Sequence, residues 1–300
     1  HQCSIEHHPT FGDYIAGGME VSLMVAIDFT GSNGDPALPS SLHYINPQGH
    51  FNPYQDAIMS VGSVLNEYDS DHMIPVYGFG ARCRQGDGTF STAQHAFPVY
   101  GGGLEVQGVN GVMTAYQQCL QHVMLSGPTL FAPIINAVAA SIAQTPMTQA
   151  NQKYSVLLII TDGVINDMDA TKAAIVNASK QALSIVIVGV GAADFAGMND
   201  LDCDGKLLKA GSQTAERDIV QFVAKTPDLV GGMVAQQTLA EIPNQVLKFM
   251  EQHHIKPNPK STAPPKVIAA PQVQQQQQQP QKHQIFLPLL QLILQLPLLT

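Results

Sequence analysis

Val21-Ser-Leu-Met-Val-Ala-Ile27 runs straight into Asp28-Phe29-Thr30-Gly31-Ser32-Asn33-Gly34. A near-continuous apolar run is what a strand needs when its sheet is covered on both faces. Here the run gives way at once to an acid and two hydroxyls at alternate positions. Alternate residues of an extended segment point to one side. Asp28, Thr30 and Ser32 are therefore placed to converge on one small ion, with Gly31 and Gly34 letting the backbone curl around it. Carboxylate and hydroxyl oxygens without His or Cys select a hard cation, Mg2+ or Mn2+ with Ca2+ in the same class, over zinc or copper. Taken alone the triplet also reads as an ordinary turn, because short polar side chains bond their own backbone.

A second segment adds weight. Leu157-Leu-Ile-Ile-Thr161-Asp162-Gly163 is again an apolar run ending in an acid and a glycine. If the two runs are parallel neighbours, Asp162 and Asp28 lie on the same edge of the sheet. Ser126-Gly-Pro-Thr129 supplies a loop hydroxyl just before a helix opening near Pro133. Asp28, Thr30, Ser32, Thr129 and Asp162 then give two acids and three hydroxyls, most of an octahedral shell.

The rest of the chain sets these segments in a frame. Further strands are expected at 183–190 and, nearer an edge because of Pro75, at 73–79. Helical spacing appears at 54–68, 112–123, 133–143, 168–182, 217–224 and 238–253. Strands alternating with helices predict an α/β fold, a mostly parallel sheet with helices on both faces.

The 300 residues are 45% hydrophobic and only 12% charged, with a net charge of −9. Fourteen scattered Lys and Arg exclude a nucleic-acid binder, which needs basic clusters. Cys3, Cys83, Cys119 and Cys203 form no CxxC pair, so neither a zinc knuckle nor a disulfide framework is expected and a reducing, cytosolic setting is the simplest inference. The segment 1–20 reads as a lead-in from a longer parent, 21–255 as the folded domain, and 256–300 as a disordered tail. That tail is Pro- and Gln-rich, then Leu-rich over 285–299, a stretch too short and too interrupted to span a bilayer.

Several segments carry a closer resemblance: Asp13-Tyr-Ile-Ala-Gly-Gly18, Ala26 to Gly34, Ser41-Leu-His-Tyr-Ile-Asn-Pro47, Tyr68-Asp-Ser-Asp71, Gly78-Phe-Gly80, Leu158 to Val164, Val188-Gly-Val-Gly191 and Arg217 to Val223. Together they resemble a von Willebrand factor A-type domain with a metal-ion-dependent adhesion site, and more closely the A domain of the copines. The resemblance implies that the family's acid-x-hydroxyl-x-Ser motif falls on Asp28, Thr30 and Ser32, its loop Thr on Thr129 and its later Asp on Asp162. It implies a non-enzymatic domain that binds intracellular target proteins through an acidic residue of the partner. In copines, paired N-terminal calcium-dependent phospholipid-binding modules bring the parent from the cytoplasm to the plasma membrane, and this chain contains none of them. The stretch 81–110 and the Gln-rich end depart from the family pattern. Two alternatives stay open from the residues: a metal-dependent phosphohydrolase, and an extracellular adhesion module of the same fold. The first would need a phosphate-clamping Lys or Arg, and the three site loops hold none.

Lesser features read blandly. Asp200-Leu-Asp-Cys-Asp-Gly205 has half of a calcium loop, but its twelfth position is Gly211 and not Glu, so it reads as an acidic loop. Gly189-Val-Gly191 lacks the third glycine of a dinucleotide loop. His7-His8 and His253-His254 read as solvated surface, and Asn177-Ala-Ser179 as a chance sequon within a helix.

Overall fold

A computed structural model of the chain describes residues 8–69, 71–202, 206–225 and 232–260. The strands are β1 (Glu20–Asp28), β2 (Met73–Phe79), β3 (Ala81–Arg84), β4 (Phe90–Gln94), β5 (Phe97–Pro98), β6 (Glu105–Gln107), β7 (Val123–Leu125), β8 (Lys153–Thr161), β9 (Leu183–Gly189), β10 (Lys209–Ala210), β11 (Gln213–Thr214) and β12 (Val220–Ala224). The helices are α1 (Phe11–Ala16), α2 (Pro53–Asn66), α3 (Gly108–Cys119), α4 (Ala132–Gln144), α5 (Met168–Ala178), α6 (Ala196–Asn199), α7 (Gly232–Leu239) and α8 (Ile242–Gln252).

The central sheet runs β12-β9-β8-β1-β2-β5, with β6 also pairing β2. Its five long strands are parallel, and only the short β5 and β6 run antiparallel. The three apolar runs become the three middle strands, where both faces are covered. Along β1, Val21, Leu23, Val25 and Ile27 join the core under α1, α2, α3 and α8, while Met24 and Ala26 join the core under α4 and α5. Asp28 continues the second set, on the side from which α4 approaches. The β2 run lies one strand in from the edge, between β1 and the short β5 and β6.

Register fixes the site edge. Ile27 lies opposite Ile160, and Asp28 opposite Phe79, so β1 and β8 reach the same edge in step.

Two sequence expectations need correction. The segment 217–224 is not helical: Val220–Ala224 pairs with β9 from Ile185 to Gly189 as the outer parallel strand. Its apolar positions fit either period, and pairing with β9 decides. The segment 238–253 is not one helix either. It breaks between Leu239 and Ile242, where Pro243 opens α8 and removes an N–H that a continuous helix would need. At the chain ends, Phe11 and Tyr14 are buried, and the Tyr14 hydroxyl donates to the Ile255 carbonyl at 2.8 Å. The start of the expected tail is part of the domain instead, the Lys256 N–H donating to Gln149 Oε1 at 2.9 Å and its carbonyl accepting from Gln152 Nε2 at 2.7 Å, while the tail from 261 on and positions 203–205 lie outside the described residues.

Candidate metal centre

Five oxygens from three loops gather at the end of β1. Asp28 accepts two bonds on Oδ1, from the Thr30 hydroxyl at 2.6 Å and the Thr30 N–H at 2.8 Å. Ser32 donates to Asp162 Oδ1 at 3.0 Å, and Thr129 donates to Thr30 Oγ1 at 3.4 Å. The Thr30 and Ser32 hydroxyl oxygens lie 3.1 Å apart. All five residues singled out from sequence thus meet. Asp28, Thr30, Thr129 and Asp162 are buried, whereas Ser32 is exposed and forms the mouth.

Backbone contacts hold the three loops together. Thr30 and Ser126 form an isolated parallel bridge, with the Gly31 N–H donating to the Ser126 carbonyl at 2.6 Å. Asn166 clips the Thr129 loop to the Asp162 loop: its Oδ1 accepts from the Thr129 N–H at 2.8 Å, and its own N–H donates to the Thr129 carbonyl at 2.9 Å. Asp167 accepts from the Phe131 and Ala132 N–H groups, both at 3.0 Å, and so caps the first turn of α4. Space is short at two glycines. A Cβ on Gly80, where φ is +80°, would fall 2.2 Å from Thr30 Cγ2. A Cβ on Gly163 would fall 3.1 Å from Thr129 Oγ1 and 3.7 Å from Ser32 Oγ, inside the cluster itself.

Sequence reasoning missed four supporting residues. Thr161 donates to Asp28 Oδ2 at 2.5 Å, and Asn33 Nδ2 donates to Asp162 Oδ1 at 2.9 Å. The third is Asn166, described above. Behind the strand end lies the fourth, His43, whose Nε2 bonds the Asp28 carbonyl at 2.8 Å while its Nδ1 meets the Tyr116 hydroxyl at 2.8 Å. A carbonyl only accepts, so Nε2 carries the proton and Nδ1 accepts from Tyr116. The Tyr116 oxygen in turn accepts from Asn52 Nδ2 at 3.0 Å, and Asn52 also caps α2 through Gln55 N–H. Burial drives the His43 pKa down to about 3, against the Asp28 carbonyl bond that raises it, so the imidazole is neutral. His43 stacks between Phe29 and Tyr54, at ring separations of 5.3 Å and 4.1 Å. The signals were present as polar letters beside the motif, but their direction depends on which loops meet.

Charge at the centre is unbalanced. Burial pushes the Asp28 carboxyl up to about 7, opposed by the Thr161 and Thr30 bonds and reinforced by the Asp162 charge. Burial also raises Asp162, against the bonds from Ser32 and Asn33. Among the described residues the ion pairs are Lys153–Asp71 and Lys225–Asp56, neither of which reaches this cluster. Two buried carboxylates held only by neutral donors are costly when ionised, and a divalent cation would offset both charges. Thr30 and Ser32 each have one proton, and both serve a carboxylate; Thr30 accepts from Thr129 on one lone pair, so its other lone pair and those of Ser32 remain for a cation. The oxygen-only donor set fits Mg2+, Mn2+ or Ca2+.

Comparison with known proteins identifies the family. The Copine family model matches residues 41–258, a span that includes the stretch 81–110. The chain belongs to the copine family. Two copine relatives from Arabidopsis thaliana are similar along most of it: Protein BONZAI 1, 52% identical over 257 residues and 84% of this chain, and Protein BONZAI 2, 48% identical over 259 residues and 85% of this chain. The chain spans 43% of the length of each of those two proteins. With its parallel central sheet flanked by helices, the copine chain has the α/β, von Willebrand A-type architecture expected from its sequence. Among solved structures, a manganese-loaded Plasmodium vivax TRAP protein matches with a TM-score of 0.44 and 11% identity, covering 76% of this chain and 74% of that one.

Proposed function

We propose that this copine domain is a divalent-cation-dependent protein-binding module. Asp28, Thr30, Ser32, Thr129 and Asp162 would hold Mg2+ or Mn2+, with Ca2+ as a further hard cation of the same kind. The observation that carries this reading is the pair of buried carboxylates with no basic partner among the described residues, set among hydroxyls that each keep a lone pair for a cation. The bound ion would supply an electrophile at the exposed mouth by Ser32. Two carboxylates only just neutralise a divalent ion, so a carboxylate of an intracellular protein partner is the ligand this charge balance favours. The chain's part is to hold the hydroxyls in place: Thr161 and Asn33 orient the two acids, and Asn166 ties their loops together. The domain binds and does not catalyse.

On this reading the parent protein is cytoplasmic. Calcium-dependent phospholipid-binding modules outside this chain recruit it to the plasma membrane, and the present domain brings the protein cargo.

Melting curves test the claim. Mg2+ or Mn2+ raises the melting temperature of the wild-type domain, by an amount that grows with ion concentration. Asp28→Ala and Asp162→Asn each abolish the shift. Equal melting with and without metal across that range refutes it.

A further inference from the structure

The loops around the mouth carry exposed apolar side chains. Leu38 is 53% exposed and Val164 is 55% exposed, each in a loop that frames the cluster. Val164 directly follows Gly163, whose missing side chain opens space beside Ser32 and Thr129. Leu38 sits in a turn tied to the metal loop: the Ser41 N–H donates to the Leu38 carbonyl, and the Ser41 hydroxyl donates to the Asn33 and Gly34 carbonyls at 2.9 and 3.1 Å. Further along the same loop, Ile45 is 37% exposed and Phe51 is 54% exposed. Single exposed apolar residues are ordinary, but Leu38 and Val164 stand in the two segments that lead directly from the metal loop and from Asp162.

Charge narrows the partner. The segments 28–52, 126–131 and 161–167 contain no Lys or Arg. Lys225, at the end of β12, is paired with Asp56, and the exposed Arg82, on β3 outside these segments, donates through Nε to the Ser91 carbonyl at 2.8 Å. Exposed acids stand at the same end of the sheet, Asp35 after the metal loop and Asp194 after β9. Recognition of a phosphate uses Arg or Lys to share its charge. With two carboxylates and a divalent ion summing to zero, one incoming carboxylate leaves a single negative charge. A phosphate dianion or an acidic run leaves at least two, with Asp35 and Asp194 repelling it.

We infer that the loaded site selects a protein segment in which one Asp or Glu is flanked by apolar residues, the acid on the ion and its neighbours on Leu38 and Val164. The inference rests on the metal-binding reading above. Its test uses short labelled peptides with one central Glu between Leu and Val, alongside Ser-flanked, Glu→Gln, phosphoserine and triple-Glu counterparts. Binding is measured by fluorescence anisotropy in Mg2+ and in EDTA. In Mg2+ the apolar-flanked Glu peptide binds at least about tenfold tighter than the Ser-flanked one, as burial of an apolar side chain allows. The double variant Leu38→Ser/Val164→Ser loses that preference and keeps the wild-type Mg2+ melting shift. A normal shift with flank-blind binding, no peptide binding, or a preference for phosphoserine or triple Glu overturns the inference alone. Absence of any Mg2+ shift in the wild type overturns the metal reading and this inference with it.

Discussion

Asp28→Asn should stabilise the metal-free domain at alkaline pH while destroying its response to metal. The carboxyl is fully buried and its pKa is pushed up to about 7. An unfolded aspartate titrates near about 4. Because the folded value is raised, the associated stability is fully present below pH ~4 and is lost as pH rises through ~7. Between pH 5 and pH 8 the loss integrates to about 2–3 kcal/mol. For a domain of this size that is roughly 5–10 °C in melting temperature. The substituted amide cannot ionise, so in EDTA the variant should keep its stability where the wild type declines. Urea melts at several pH values, followed by far-UV circular dichroism, give the difference directly. Mg2+ should restore the wild type most at pH 8, where no proton competes, and leave the variant unchanged. Parallel wild-type and variant stability profiles in EDTA would refute the claim that an uncompensated carboxylate sits in this cluster.

Other consequences follow from named contacts. Gly163→Ala introduces a methyl group 3.1 Å from Thr129 Oγ1, and calorimetric titration should show Mg2+ affinity lowered at least about tenfold with the fold intact. His43→Leu leaves the Tyr116 hydroxyl and the Asp28 carbonyl without their shared partner and should cost about 3 kcal/mol in urea unfolding. Arg217 is buried and donates to the Gln181, Leu183 and Gln245 carbonyls and meets the Tyr154 hydroxyl, with its guanidinium 5.2 Å from the Phe249 ring centre. Arg217→Met should therefore lower stability by about 2–4 kcal/mol and speed amide exchange in α8 ahead of the sheet. Unchanged exchange in α8 would show that this side chain does not hold the helix.

The sequence exposed what is local and hid what is assembled. The middle strands were legible because a sheet covered on both faces demands unbroken apolar runs, as at 21–27, 155–160 and 183–190. The outer strand β12 was not, because a five-residue segment with mixed spacing is decided by its partner β9. The small sheet β4-β3-β7 was also missed, since its strands are short and largely part-exposed. At the site, Asp28, Thr30 and Ser32 were legible from their alternation, and Asp162 and Thr129 from strand and helix boundaries. Asn33, Thr161, Asn166 and His43 were not, because each acts through a residue that only the fold brings near. His43 is the clearest case: it lies 15 residues beyond Asp28 in sequence, yet its ring bonds the Asp28 carbonyl.

The most direct test of the account is anomalous diffraction from crystals grown with Mn2+. One strong peak is expected among Thr30, Ser32, Thr129, Asp28 and Asp162, with the hydroxyl oxygens at direct-ligand distance, within the roughly 2.0–2.6 Å spanned by hard cations. The peak should be absent in Asp28→Ala. A peak bound elsewhere on the domain, or none at this cluster in well-ordered crystals, would contradict it.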